Sequence, residues 1–103
     1  MAIDMTKGVA KVWCHIAETG PLSTPDYGVS SVTDTGTGDR TIVFSTSFSS
    51  VIYAPVATIE TGATSNPTCH FGSLATGSVQ HTIVSGSGSA EDRVTSVAIY
   101  GDH

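Results

Sequence analysis

From Val9 onward the chain alternates apolar and polar positions. In Val9 to Ala17, Val12, Cys14 and Ile16 share one parity and Lys11, Trp13 and His15 the other, the two-residue period of a strand. Glu18 to Asp26 carries Gly20, Pro21 and Pro25 and is expected to be a connecting loop. Tyr27 to Asp34 alternates weakly, with Val29 out of phase with Val32, which predicts a bulge or bend. Thr35-Gly36-Thr37-Gly38-Asp39 is the strongest turn signal, a short link into a strand from Arg40 to Ser45 with Ile42 and Phe44 inward. Tyr53 to Thr61 reads as a strand whose Pro55 suits an edge or a bulge. Thr68 to Leu74 and Ser78 to Val84 read as two more, joined near Ala75-Thr76-Gly77. Ser85 to Ala90 is expected to be a mobile loop tip, and Arg93 to Tyr100 the closing strand.

Six to eight closely spaced strands define an all-β antiparallel sandwich of jelly-roll outline. Residues 1–8 are expected to be an N-terminal arm, and 9–103 a single β-sandwich domain. Composition agrees: 14 Ser, 15 Thr and 11 Gly stand beside only two leucines, Leu22 and Leu74. Such a chain favours pleated strands over helices. Several strands are apolar on both faces, as at Val12 and Trp13, Ile83 and Val84, and Val97 to Ile99. A lone sandwich needs one apolar face per strand, so contact between subunits is expected.

A net charge of −5 with four scattered basic residues, Lys7, Lys11, Arg40 and Arg93, gives no electrostatic footprint for nucleic acid. No apolar run approaches a bilayer span, so no membrane insertion is expected, and Met1 to Lys7 lacks the pattern of a secretory signal. Cys14 and Cys69 are read as free, mostly buried thiols.

Chemistry-bearing motifs are sparse. No Gly-x-Ser-x-Gly, Walker loop, His-Glu-x-x-His or Cys-x-x-Cys occurs. Asp34 and Asp39 flank the glycine turn, and Glu91 and Asp92 precede the last strand, where acids serve turn chemistry. His15, His70 and His81 read as half-buried strand residues, not as metal ligands. The chain is therefore expected to be no enzyme and to need no cofactor or metal. A binding surface remains, with aromatic faces for sugar rings and polar clamps for hydroxyls. Tyr27, Tyr53 and Tyr100 are the candidate platforms, with Trp13 shared between platform and interface readings. Asp39, Arg40, Asp92 and Arg93 are the candidate clamps.

The run Val29-Ser30-Ser31-Val32-Thr33-Asp34-Thr35-Gly36-Thr37-Gly38-Asp39, followed by a strand ending in Phe44 and by Phe48, Tyr53 and Val56, resembles the distal ends of tailed-bacteriophage fibres and tailspikes. Lys11-Val12-Trp13 is similar to the opening strand of that family. Gly28 stands where the family usually has Asn. The wider outline resembles the trimeric H-type lectin sandwich. The resemblance implies a homotrimeric tip domain of the virion that binds a host surface polysaccharide and joins the rest of the fibre or tailspike. It equally implies a trimerisation cap without a ligand site. With no coiled coil or shaft repeat, the chain is expected to be part of a larger fibre. Gly36 and Gly38 are expected to supply positive φ, and Asp34 and Asp39 to bond turn amides.

Overall fold

The computed structural model describes residues 9–18, 22–60 and 66–102. The expected N-terminal arm lies outside the described residues. Eight strands form: β1 (Val12–Ile16), β2 (Leu22–Tyr27), β3 (Val29–Gly36), β4 (Asp39–Phe44), β5 (Ala54–Ile59), β6 (Thr68–Gly72), β7 (Ser78–Val84) and β8 (Thr95–Tyr100). They make two four-stranded antiparallel sheets packed as a sandwich. Sheet A has the order β2-β1-β8-β5, and sheet B the order β3-β4-β7-β6.

Val12, Cys14, Ile16, Ile42, Val79, Val97 and Ile99 fill the space between the sheets. These are β-branched residues, with one small thiol, at alternate positions. Each aliphatic one contributes about 1.5–3 kcal/mol by leaving water. Burial pushes the Cys14 thiol up to about 12, with Asp26 adding to the shift. Both cysteines are free thiols, as the sequence suggests; Cys14 is buried and Cys69 partly so.

One expectation is corrected. Leu22 to Asp26, within the stretch from Glu18 to Asp26 read as loop because of Gly20, Pro21 and Pro25, belong to the edge strand β2. A proline that lacks its N–H is tolerated on an edge, where one side of the strand has no ladder to complete. The register of β1 on β2 shifts between Trp13 and His15, so this edge pairs irregularly. Pro55 likewise lies on an edge strand, β5. The bend expected near Val29 is a register shift between Val29 and Ser31. Just before it Gly28 adopts φ +75°, where a Cβ would collide with the Lys11 carbonyl. Ser85 to Ala90, expected as a mobile tip, is an internally bonded turn. Ser85 N donates to Ser89 O at 2.7 Å and Gly88 N to Ser85 O at 2.9 Å.

The two ends of the sandwich are closed differently. At one end Phe44, Phe48 and Tyr53 form an aromatic plug, with Phe48 and Tyr53 stacked at 4.7 Å and Phe44 set edge-on to both. The Tyr53 hydroxyl lies 2.8 Å from Ala75 O and 3.0 Å from Ser78 O, tying the β4–β5 loop to the β6–β7 loop. At the other end the glycine turn after β3 packs beneath the segment before β8. Gly38 has φ +66°, donates to Asp92 Oδ1 at 2.7 Å and accepts from Ile83 N at 2.8 Å. A Cβ there would lie 2.5 Å from Ile83 O and 2.7 Å from the Glu91 amide nitrogen. Asp34 caps the turn as expected, accepting from Gly36 N, but Asp39 binds Gln80 instead, and Asp92 supplies the second carboxylate.

Gly38→Ala therefore meets both an unfavourable backbone angle and backbone atoms that cannot swing aside. Chemical denaturation should show a loss of about 3 kcal/mol. An unchanged midpoint would show that the turn is free of the β7–β8 connection.

Candidate functional site

The candidate residues fall into three separate places. Arg40 and Tyr53, expected to face a ligand, are both buried: Arg40 has 0% exposure and Tyr53 9%. Tyr53 belongs to the aromatic plug, so its ring is unavailable as a platform. Arg40 points inward from β4 because it keeps the parity of Ile42 and Phe44. A buried guanidinium must spend its donors on fixed acceptors. Its Nη1 donates to Arg93 O at 3.0 Å and its Nη2 to Glu18 O at 2.8 Å, with Asp92 Oδ1 3.9 Å away. Burial pulls its pKa down from the usual value, while Asp92 and Asp34 act to raise it. Arg40 thus ties sheet B to the two loops that bound β1 and β8 of sheet A.

The remaining clamp candidates serve the same closure or lie beside it. Asp92 accepts the Gly38 amide. Arg93 pairs with Glu91 at 2.9 Å and approaches Glu18 at 3.7 Å. Asp39 sits on the outer side of β4 and accepts from Gln80 Nε2 at 2.7 Å. Next to Arg40 in the ladder stands His81, which stacks on Phe71 with centroids 4.8 Å apart and lies 3.2 Å from Thr95 Oγ1. His81 is fully buried rather than half-buried, and burial first, with the Arg40 charge adding to it, drives its pKa down to about 4.

The two remaining candidates, Tyr27 and Tyr100, share the outer face of sheet A. The strand register lines up Tyr27, Trp13, Ala98 and Val56 in one row across all four strands. Tyr27 is 56% exposed, Val56 53%, Trp13 41% and Tyr100 38%. Trp13 and Tyr27 lie nearly parallel, 15° apart and offset, with centroids at 6.5 Å, as one broad aromatic surface. Ala98 and Ser96 are small and stand on the central strand β8 between larger neighbours. A depression of about 250 Å³ results, lined by Val56, Ala57, Thr58, Ser96, Val97 and Ala98.

Polar groups gather at one end of this groove. His15 lies opposite Ser96 in the ladder, with Nδ1 3.2 Å from Ser96 Oγ, and its Nε2 is 3.8 Å from Glu60 Oε1. Ser96, His15 and Glu60 thus follow the order of a hydrolytic triad. Acyl transfer also needs donors aimed at a developing oxyanion. Ser96 sits within a central strand paired on both sides, so its surrounding amides serve the ladder. The arrangement is one of hydroxyl, imidazole and carboxylate beside an aromatic shelf, suited to holding hydroxyl groups. Sequence reading passed over His15, Ser96, Thr58 and Glu60 because their juxtaposition depends on register between distant strands. The outward parity shared by Trp13 and His15 was the available signal.

The outer face of sheet B is different in kind. It presents Thr33, Thr41, Ser78, Gln80, Thr82 and His70, with Val43 and Val84 among them. Among the described residues no group of three or more His, Cys, Asp or Glu could hold a metal ion. Comparison with protein families, curated proteins and solved structures gives no match.

Two outcomes follow for the closed polar end. Arg40→Ala removes the tie and leaves two part-buried carbonyls without their donor, and denaturation should show a loss of about 2–3 kcal/mol. For His81 the unfolded chain binds a proton near pH 6.5, while the folded one resists until about 4. Stability should therefore fall as pH drops through that window, by about 3 kcal/mol in all. The difference in slope between wild type and His81→Leu isolates this group; parallel pH profiles would contradict it.

Proposed function

We propose that this chain is the distal, receptor-binding domain of a phage tail fibre or tailspike. In this reading it is part of the virion, works as a homotrimer, and binds a host surface carbohydrate in the groove on sheet A. The observation that carries the reading is the exposed Trp13–Tyr27 surface beside a groove with hydroxyl-binding groups at one end. An aromatic face takes the C–H side of a pyranose, and His15, Ser96, Thr58 and Glu60 are placed for its hydroxyls.

The size of the face suits a ligand: four strands at about 4.8 Å spacing and five residues at about 3.4 Å give a patch of roughly 300–400 Å². The groove is read as binding without turnover, since the strand amides around Ser96 are engaged in the ladder. Three such sites acting together on a repeating polysaccharide gain avidity without further contacts. The second reading, a trimerisation cap with no ligand site, draws on exposed apolar residues at one end of the sandwich, Ile52 above all.

Binding to a panel of purified bacterial capsular and lipopolysaccharide glycans tests the first reading. Trp13→Ala should weaken binding about tenfold, the equivalent of about 1.4 kcal/mol. Asp39→Asn, on the opposite sheet, should leave it unchanged. Binding that ignores Trp13 but is lost with Asp39 would move the site to sheet B.

A further inference from the structure

Charge is distributed unevenly between the two ends of the sandwich. Glu18, Asp34, Asp39, Arg40, Glu60, Glu91, Asp92 and Arg93 all lie toward the end that holds the glycine turn, and together they sum to −4. At the aromatic-plug end, the loops 45–53 and 73–77 contain no charged residue, and Lys11, Asp26 and Asp102 beside them sum to only −1. They carry instead three exposed apolar side chains: Ile52 at 87%, Val51 at 49% and Leu74 at 36%. An isoleucine so fully in water is costly to expose and has no role in the core.

These loops are held in place. Phe48 N donates to Thr76 O at 2.8 Å, Phe44 N to Gly77 O at 2.9 Å and Ser49 N to Asp102 O at 2.7 Å. Ser50 Oγ accepts from Ile52 N at 3.1 Å, and the Tyr53 hydroxyl reaches Ala75 O. Apolar tips presented on ordered loops lose little freedom when covered.

We propose that this weakly charged end is where copies of the chain meet, with Ile52, Val51 and Leu74 of each copy packed against those of its neighbours. The proposal rests on the reading that the domain works as an assembly, and it names the surface. Charge selects the end at which a second copy docks. Two copies meeting at the charged ends would set −4 against −4, whereas the plug ends, with Lys11, Asp26 and Asp102, set only −1 against −1. A cationic partner would choose the opposite end. Apolar tips also suit a rotational axis, which brings identical groups together and makes like-with-like contact self-complementary. The end of a four-stranded sandwich offers roughly 400 Å² per copy, so the isolated domains associate weakly. Within a fibre, the neighbouring parts raise the effective concentration. In this arrangement the sheet A grooves stay open on the outside.

Sedimentation velocity on the whole chain, from about 10 to about 500 µM, tests this. The wild type should sediment increasingly above its 10.5 kDa monomer mass as concentration rises. Ile52→Asp and Leu74→Glu should each weaken association at least tenfold, and Ile52→Asp, at a side chain 87% exposed, should keep the wild-type thermal midpoint. Val56→Asp, on sheet A, should associate like the wild type. A wild type that stays monomeric throughout would overturn the proposal, as would association that survives both end variants or is lost only in Val56→Asp. Glycan binding measured at low concentration separates the two readings. Ile52→Asp should bind glycan as the wild-type monomer does, so failure of the assembly surface and failure of the groove register in different assays.

Discussion

A guanidinium sealed between two sheets has to find every acceptor it needs within the protein. Arg40 finds two beside the other sheet, the carbonyl of Glu18 just after β1 and that of Arg93 just before β8, while its buried Nε has no hydrogen-bond partner. This requirement fixes how the sheets meet at one end. It also explains why the acids there turn inward or toward one another. Asp92 stays close to Arg40 while taking the Gly38 amide, and Glu91 and Glu18 flank Arg93. Arg40, Asp92, Arg93 and Glu91 act at this end as an internal fastening, while Asp34 and Glu60 stay exposed.

Much of the architecture was legible because strand period is a local property. The inward set Val12, Cys14, Ile16, Ile42 and Phe44 follows from parity alone and matches the core. The glycine turn was legible for the same reason. Two errors of the sequence reading have one origin. Glu18 to Asp26 read as loop because Gly20, Pro21 and Pro25 were weighed without knowing that β2 lies on an edge. Arg40 read as a surface clamp because charge was weighed above parity, although it shares the phase of Ile42. The groove was less legible. His15, Glu60 and Ser96 come together through the pairing of β1, β8 and β5, and the order of strands in a sheet leaves no local trace in the sequence.

The two outer faces divide the chemistry of the surface. Sheet A offers rings and methyl groups around small residues, and sheet B offers mainly hydroxyls and an amide, with Val43 and Val84 among them. The surplus of apolar residues in the strands divides unequally. Trp13, Ala98 and Val56 gather on one face, where a groove can form, and Val43 and Val84 stand on the other. The most exposed aliphatic residue, Ile52, stands apart at the aromatic-plug end. The exposed face of sheet A and the apolar aromatic-plug end are therefore separate surfaces on a 103-residue chain, made of different atoms.

Both borders of sheet A contain a proline, Pro25 in β2 and Pro55 in β5. Each interrupts the row of amides that an incoming strand would need, so the sheet cannot readily lengthen by recruiting a neighbour side by side. Many copies of a hydroxyl-rich β protein can then be crowded together with protection against fusing into cross-β aggregates. That property suits any structure built by placing identical domains close to one another.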